Sequence, residues 1–114
     1  MKILIIANDP PYGTERSYNA FRLALALLKI EGVELRLFLM ADAVFCGIKG
    51  QETPEGYYNI ERMLKGLRKA EIKACGTCMK ARGVTGEHLL PGISPTDMAG
   101  LAEWVADADK VLVF

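Results

Sequence analysis

The sequence predicts an α/β fold in which helices alternate with the strands of a parallel sheet. Three observations carry this expectation. Short apolar runs rich in β-branched residues lack the alternation of a half-exposed strand, which suits strands buried on both faces. Between them lie segments whose apolar residues recur at helical spacing. The two kinds of segment take turns along the chain, and right-handed βαβ units turn that order into a parallel sheet of four or five strands with helices on both faces. At 114 residues, a single domain spanning 1–114 is expected.

The first strand is Lys2-Ile-Leu-Ile-Ile-Ala7, ended by Asn8-Asp9-Pro10-Pro11. Gly13-Thr14 then reads as a helix entry with Thr14 as N-cap, and Gly32 closes that helix after about Ile30. Its apolar residues cover an arc of about 240°, wider than a surface helix needs. Either a small sheet buries it deeply or it also packs against another subunit. Val33 to Ala41 is the second strand. Asp42 to Gly56, with Gly47, Gly50 and Pro54 among polar residues, reads as a long loop of the kind that is often functional or mobile.

Asn59 caps a second helix with Ile60, Met63, Leu64 and Leu67 on one face. Ile72-Lys73-Ala74 is a third strand running into Cys75, and Gly76 to Arg82 a short helix stopped by Gly83. Ser94-Pro95-Thr96-Asp97 reads as the start of the last helix, with Met98, Leu101, Ala102 and Val105 as its buried face. A brief strand at Ile93 before the last helix is also expected. Lys110 to Phe114 is the final strand.

Lys plus Arg number 14 and Asp plus Glu number 14, so the formal net charge is zero. A neutral chain is poorly suited to nucleic acid or anionic lipid, which demand excess positive charge. The apolar runs are too short for a membrane span, and no signal peptide is evident, so a cytoplasmic location is expected. An odd set of cysteines, Cys46, Cys75 and Cys78, argues against a disulfide framework.

The chemistry concentrates in Cys75-Gly-Thr-Cys78. Cys75 ends a predicted parallel strand, and open α/β sheets gather their sites at that edge. A helix opening at Gly76 or Thr77 would face the sulfur with free N–H groups that favour thiolate. Between Lys65 and Arg82 stand six basic residues against one acid, Glu71. Zinc is disfavoured because structural sites want four ligands, and His88 and Cys46 are the only companions. A thioredoxin-type dithiol stays open, although no aromatic residue precedes the motif and no proline lies inside it. Two inert cysteines are the third possibility. The first loop holds neither G-x-G-x-x-G nor a Walker pattern, so no nucleotide, flavin or other cofactor is expected, and no metal. His88 reads as structural.

The run from Cys75 to Val84, with Ala81 and Arg82-Gly83-Val84, resembles the DsrE/DsrF-like sulfur-relay family, which includes the TusD-like persulfide carriers. Pro11-Tyr12-Gly13-Thr14, the Met98–Leu101 helix, Ala108-Asp109-Lys110-Val111 and terminal Phe114 agree with it. The resemblance implies a flavodoxin-like three-layer sandwich, homo- or hetero-oligomers, and sulfur donor and acceptor proteins as partners. It also implies a cysteine that carries sulfur as a persulfide. Counting back from Arg82-Gly83-Val84, that position falls on Cys75. Cys78 falls where TusD-like members have a small residue, so its place as a second catalytic cysteine rests on its spacing alone. The segment Cys46–Tyr57 matches nothing specific. A silent scaffold subunit and a thiol–disulfide redox protein remain the alternatives.

Overall fold

The computed structural model describes residues Met1–Phe114. Five strands, β1 (Lys2–Ala7), β2 (Glu34–Leu39), β3 (Glu71–Cys75), β4 (Ile93–Thr96) and β5 (Lys110–Val113), form one sheet. All four pairings are parallel and the order is β4-β3-β2-β1-β5. The helices are α1 (Arg16–Leu27), α2 (Ile60–Lys65), α3 (Gly76–Ala81) and α4 (Met98–Asp107).

From β1 to β4 the chain steps in one direction, so right-handed crossovers put α1, α2 and α3 on one face. The step from β4 to β5 runs back past β1 and puts α4 on the other. This is the three-layer α/β sandwich the sequence predicts. The two layers are unequal: the α1/α2 side holds a core of 22 buried residues and the α4 side one of 6. Each central strand divides its side chains accordingly. Ile3, Ile5 and Ala7 of β1 face the larger core, while Leu4 and Ile6 face the smaller. On β3, Ile72 and Ala74 join the first and Cys75 the second.

Several local expectations change. Ser94 and Pro95 lie in β4 rather than in a helix. β4 is an edge strand paired only with β3, and at an edge a proline's missing N–H costs no ladder bond. The cap of α4 is Asp97, whose carboxylate accepts from Gly100 N at 2.9 Å. Its buried face is Leu101 and Trp104, while Met98 and Val105 are exposed, because this layer is one helix deep. The N-cap of α1 is Glu15, which makes no side-chain cap bond; Thr14, one residue earlier, donates to Asp9 Oδ2 at 2.8 Å and accepts from Arg16 N at 3.4 Å. Asn59 does cap α2, accepting from Arg62 N at 3.0 Å.

The wide apolar arc of α1 is only partly covered. Ser17, Ala20, Phe21 and Ala24 are buried, but Leu23 and Ile30 remain exposed.

The middle segment is tied down rather than loose. Ala41–Gly47 winds as 3-10 turns. Beyond it, Gln51 donates to Cys46 O and Ile48 O, both at 3.0 Å, and accepts from Tyr12 Oη at 2.6 Å. Tyr12 Oη also accepts from Ile60 N at 3.1 Å, so Tyr12 pins this segment to α2. Tyr18, Tyr57 and Tyr58 stack beside it, with centroids 4.2 and 4.5 Å apart along the row. Asp107 and Asp109 clamp the opposite end of the sheet. Asp107 pairs with Lys2 at 3.0 Å and Arg36 at 2.9 Å, and Asp109 Oδ2 accepts from Lys2 N at 2.7 Å.

Candidate functional site

Cys75 closes β3 and caps α3. Its backbone is extended and the next residue is helical, so the thiol folds over the first turn, and Sγ accepts the N–H of Cys78 at 3.4 Å. This is the placement that the strand-to-helix reading requires. A helix N-cap sulfur meets N–H groups that no carbonyl satisfies, and those groups favour negative charge. Gly76 permits the close turn: a Cβ there would meet Thr96 O of the adjoining strand at 3.3 Å.

Cys78 sits three residues on, at the position whose N–H the cap receives. Its own Sγ accepts the N–H of Ala41 at 3.2 Å. Ala41 follows β2 and has φ +52°, the left-handed region that an alanine rarely adopts. The left-handed turn presents its N–H to the sulfur. Both cysteines therefore hold a backbone donor, and both pack against the smaller core, where Met40 is a neighbour. Cys75 is buried and Cys78 half-buried. Burial, followed by the hydrogen bond to Cys75, pushes the Cys78 thiol up.

The basic residues that are neighbours in sequence are not neighbours in space. Arg82 turns back on the turn after β2, with Nε 2.8 Å from Asp42 Oδ1 and Nη1 donating to Cys78 O at 3.1 Å. It braces the site rather than offering a free cation. Lys73 Nζ lies 4.7 Å over the Trp104 ring on the α4 face. Lys80 is exposed on α3. Lys65, Arg68 and Lys69 stand at the opposite edge of the sheet, before β3 begins. Of the six, only Lys80 and Arg82 lie at the Cys75 end of the sheet, and the donor that reaches Cys75 Sγ is the backbone N–H of Cys78.

Cys46 lies apart, buried in the larger core, with its thiol 3.7 Å from Asp9 O. Desolvation pushes it up to about 12. His88 Nδ1 accepts from Thr85 N at 2.9 Å, a local turn contact. The Ala41 donor carries no sequence signal, because nothing in the string Leu39-Met40-Ala41-Asp42 marks a left-handed residue.

A family model for the DsrE/DsrF-like family matches residues 1–114. The chain belongs to the DsrE/DsrF-like family. That family is linked to sulfur relay. Among its relatives, Protein YchN of Escherichia coli is 46% identical over 116 residues, covering 99% of this chain and 98% of its own. An uncharacterized protein of Methanopyrus kandleri is 41% identical, covering 98% of this chain and 93% of its own. The crystal structure of the E. coli ychN protein superposes with a TM-score of 0.93 and covers 99% of this chain and 98% of that one. A protein of unknown function from Methanobacterium thermoautotrophicum, 16% identical, shares the fold at a TM-score of 0.72, covering 99% and 97%. No helix is long and apolar enough to cross a membrane.

Proposed function

We propose that this protein is a sulfur carrier that accepts sulfane sulfur on Cys75 and passes it to an acceptor thiol. The observation that carries the reading is the N-cap position of Cys75, whose Sγ accepts a helix N–H in a chain of the DsrE/DsrF-like family. In the loading step, the Cys75 thiolate attacks the outer sulfur of a donor persulfide. A new S–S bond forms, the donor's S–S bond breaks, and the donor leaves as its thiolate. In the unloading step an acceptor thiolate attacks the outer sulfur on Cys75, which returns to thiolate. Neither step changes the overall oxidation level. The outer sulfur stands about 2 Å beyond Sγ, which moves the reacting atom outward from a nearly covered cysteine. The family's link to sulfur relay supports donor and acceptor proteins as the partners. The same reading makes the protein one domain, at work in the reducing cytoplasm as part of an oligomer.

A second reading has an observation of its own, the cap and third-residue spacing of Cys75 and Cys78 on α3. In it, Cys78 attacks the inner sulfur of the Cys75 persulfide, which yields a Cys75–Cys78 disulfide and releases sulfide.

Incubation with a persulfide donor followed by mass spectrometry separates the readings. The carrier gains the mass of one sulfur atom on Cys75, and Cys75→Ser does not. If Cys75→Ser takes up sulfur normally, the carrier reading fails. A disulfide with free sulfide that depends on Cys78 supports the second reading. A chain that takes up no sulfur and forms no disulfide is a scaffold subunit.

A further inference from the structure

We infer that the sheet edge opposite Cys75 is a docking surface for an acidic protein segment bearing one apolar anchor side chain. The inference stands apart from the sulfur-carrier reading and rests on different residues. Four steps of about 3.3 Å along β3 separate Glu71 from Cys75, which places this surface about 13 Å from the cysteine edge. A cavity of about 340 Å³ opens there between the end of α2 and the entry to β4. Leu67, Ile72, Leu90 and Ile93 form its floor, and Lys65 and Arg68 stand on its rim. A shallower depression shares Lys65 and Arg68 and continues to Lys29 and Lys69.

The charge here is largely uncompensated. Lys65 pairs with Glu61 at 3.0 Å, but Lys29, Arg68 and Lys69 take part in no ion pair. The C-terminal ends of α1 and α2 attract cations and account for part of the cluster. They do not account for an apolar pit beside it. A pit of this size sits at the small end of ligand pockets and accommodates one large apolar side chain. Cations that continue past the pit call for an extended partner whose carboxylates flank that side chain. A nucleic acid fits less well, because the lining holds no aromatic ring on which a base stacks. Such a partner would leave the Cys75 edge free while bound.

The test is fluorescence anisotropy with a labelled peptide, Asp-Glu-Glu-Phe-Leu-Glu-Asp-Asp, titrated with the full chain at low and at physiological salt. Saturable binding that weakens with salt is expected. Arg68→Glu combined with Lys69→Glu weakens it roughly tenfold or more, and the milder Lys69→Ala roughly twofold to fivefold. Replacing Phe and Leu of the peptide by Ser also weakens it. Backbone amide shifts on binding gather at Leu64–Ile72 and Leu90–Ile93 and spare Gly76–Ala81. Absence of saturable binding overturns the proposal, as does indifference to the Lys69→Ala and double variants. Equal binding of the serine peptide, or tighter binding of a short RNA than of the peptide, also overturns it.

Discussion

The backbone N–H of Ala41 points at the sulfur of Cys78 across 3.2 Å, from a residue held at φ +52°. This contact links the end of β2 to α3 and so fixes the relative position of the two elements that frame Cys75. A left-handed alanine costs roughly 1–2 kcal/mol against its Cβ, and glycine escapes that cost while losing more chain entropy. Ala41→Gly is therefore expected to be neutral or to stabilise by up to about 1 kcal/mol. Ala41→Val is expected to destabilise by more than the glycine gains. Urea denaturation of the two variants, read against wild type, checks the sign.

Arg82 and Asp42 brace the same corner. Their side chains are 27% and 54% exposed, so the pair is screened and contributes only about 0.5–1 kcal/mol. Arg82→Ala also frees the Cys78 carbonyl. The expected result is this small stability loss together with slower sulfur uptake, with Cys75 still the modified residue. A double-mutant cycle with Asp42→Ala, followed by denaturation at low and high salt, measures the coupling. No coupling at either salt would remove Arg82 as a brace.

Cys46 is expected to behave as a core side chain. With its thiol pushed up to about 12, it stays protonated and unalkylated in the native protein at mildly alkaline pH, and reacts only after denaturation. Stability follows from the same shift. Unfolded Cys46 ionises near its ordinary value of 9.0 while folded Cys46 does not, so its contribution is complete below pH 9 and falls as pH rises toward about 12. The slope is about 1.4 kcal/mol per pH unit for a single group. Cys46→Ala should be less stable at neutral pH, through the cavity it leaves, yet lose stability less steeply between pH 9 and 10. Parallel slopes in wild type and variant would show that the shift is absent.

Gly100 lies in the first turn of α4, where an added methyl group would overlap Thr96 Oγ1 and press on the Thr96 Cβ. Alanine is the better helix former by about 1 kcal/mol, but the collision at the β4–α4 junction is expected to outweigh it by about 1–3 kcal/mol. Thr96→Ala in the same chain removes the overlapping oxygen and should restore most of the loss. Thermal melts of the two single variants and the double variant decide the point.

Much of the architecture is legible in the residue string because its signals are local. The β-branched run of β1, the Asn59 cap and the passage from Ile72 through Cys75 into a short helix each depend on neighbours within one turn. Ser94-Pro95 misleads for the opposite reason. A proline three residues before Met98 looks like a helix entry until the sheet order shows β4 to be an edge, where proline is tolerated. Met98 and Val105 mislead because helical spacing marks an apolar face without saying whether a second layer covers it. The site divides in the same way. Cys75 is placed by local order, whereas the Ala41 donor comes from a strand distant in sequence.

By itself the sequence determined the alternation of strand and helix, the parallel sheet that follows from it, and the capping position of Cys75. Apolar period, turn residues and cap chemistry act over a few residues, so they can be read without the fold. Only the tertiary structure decided where charge and donors stand. Six basic residues that fall between Lys65 and Arg82 separate to two edges and one face of the sheet, because a strand carries its ends apart and turns alternate side chains to opposite faces. The sulfurs of Cys75 and Cys78 accordingly receive backbone N–H groups from α3 and Ala41, with Arg82 braced beside them, while Lys65, Arg68 and Lys69 gather at the far edge.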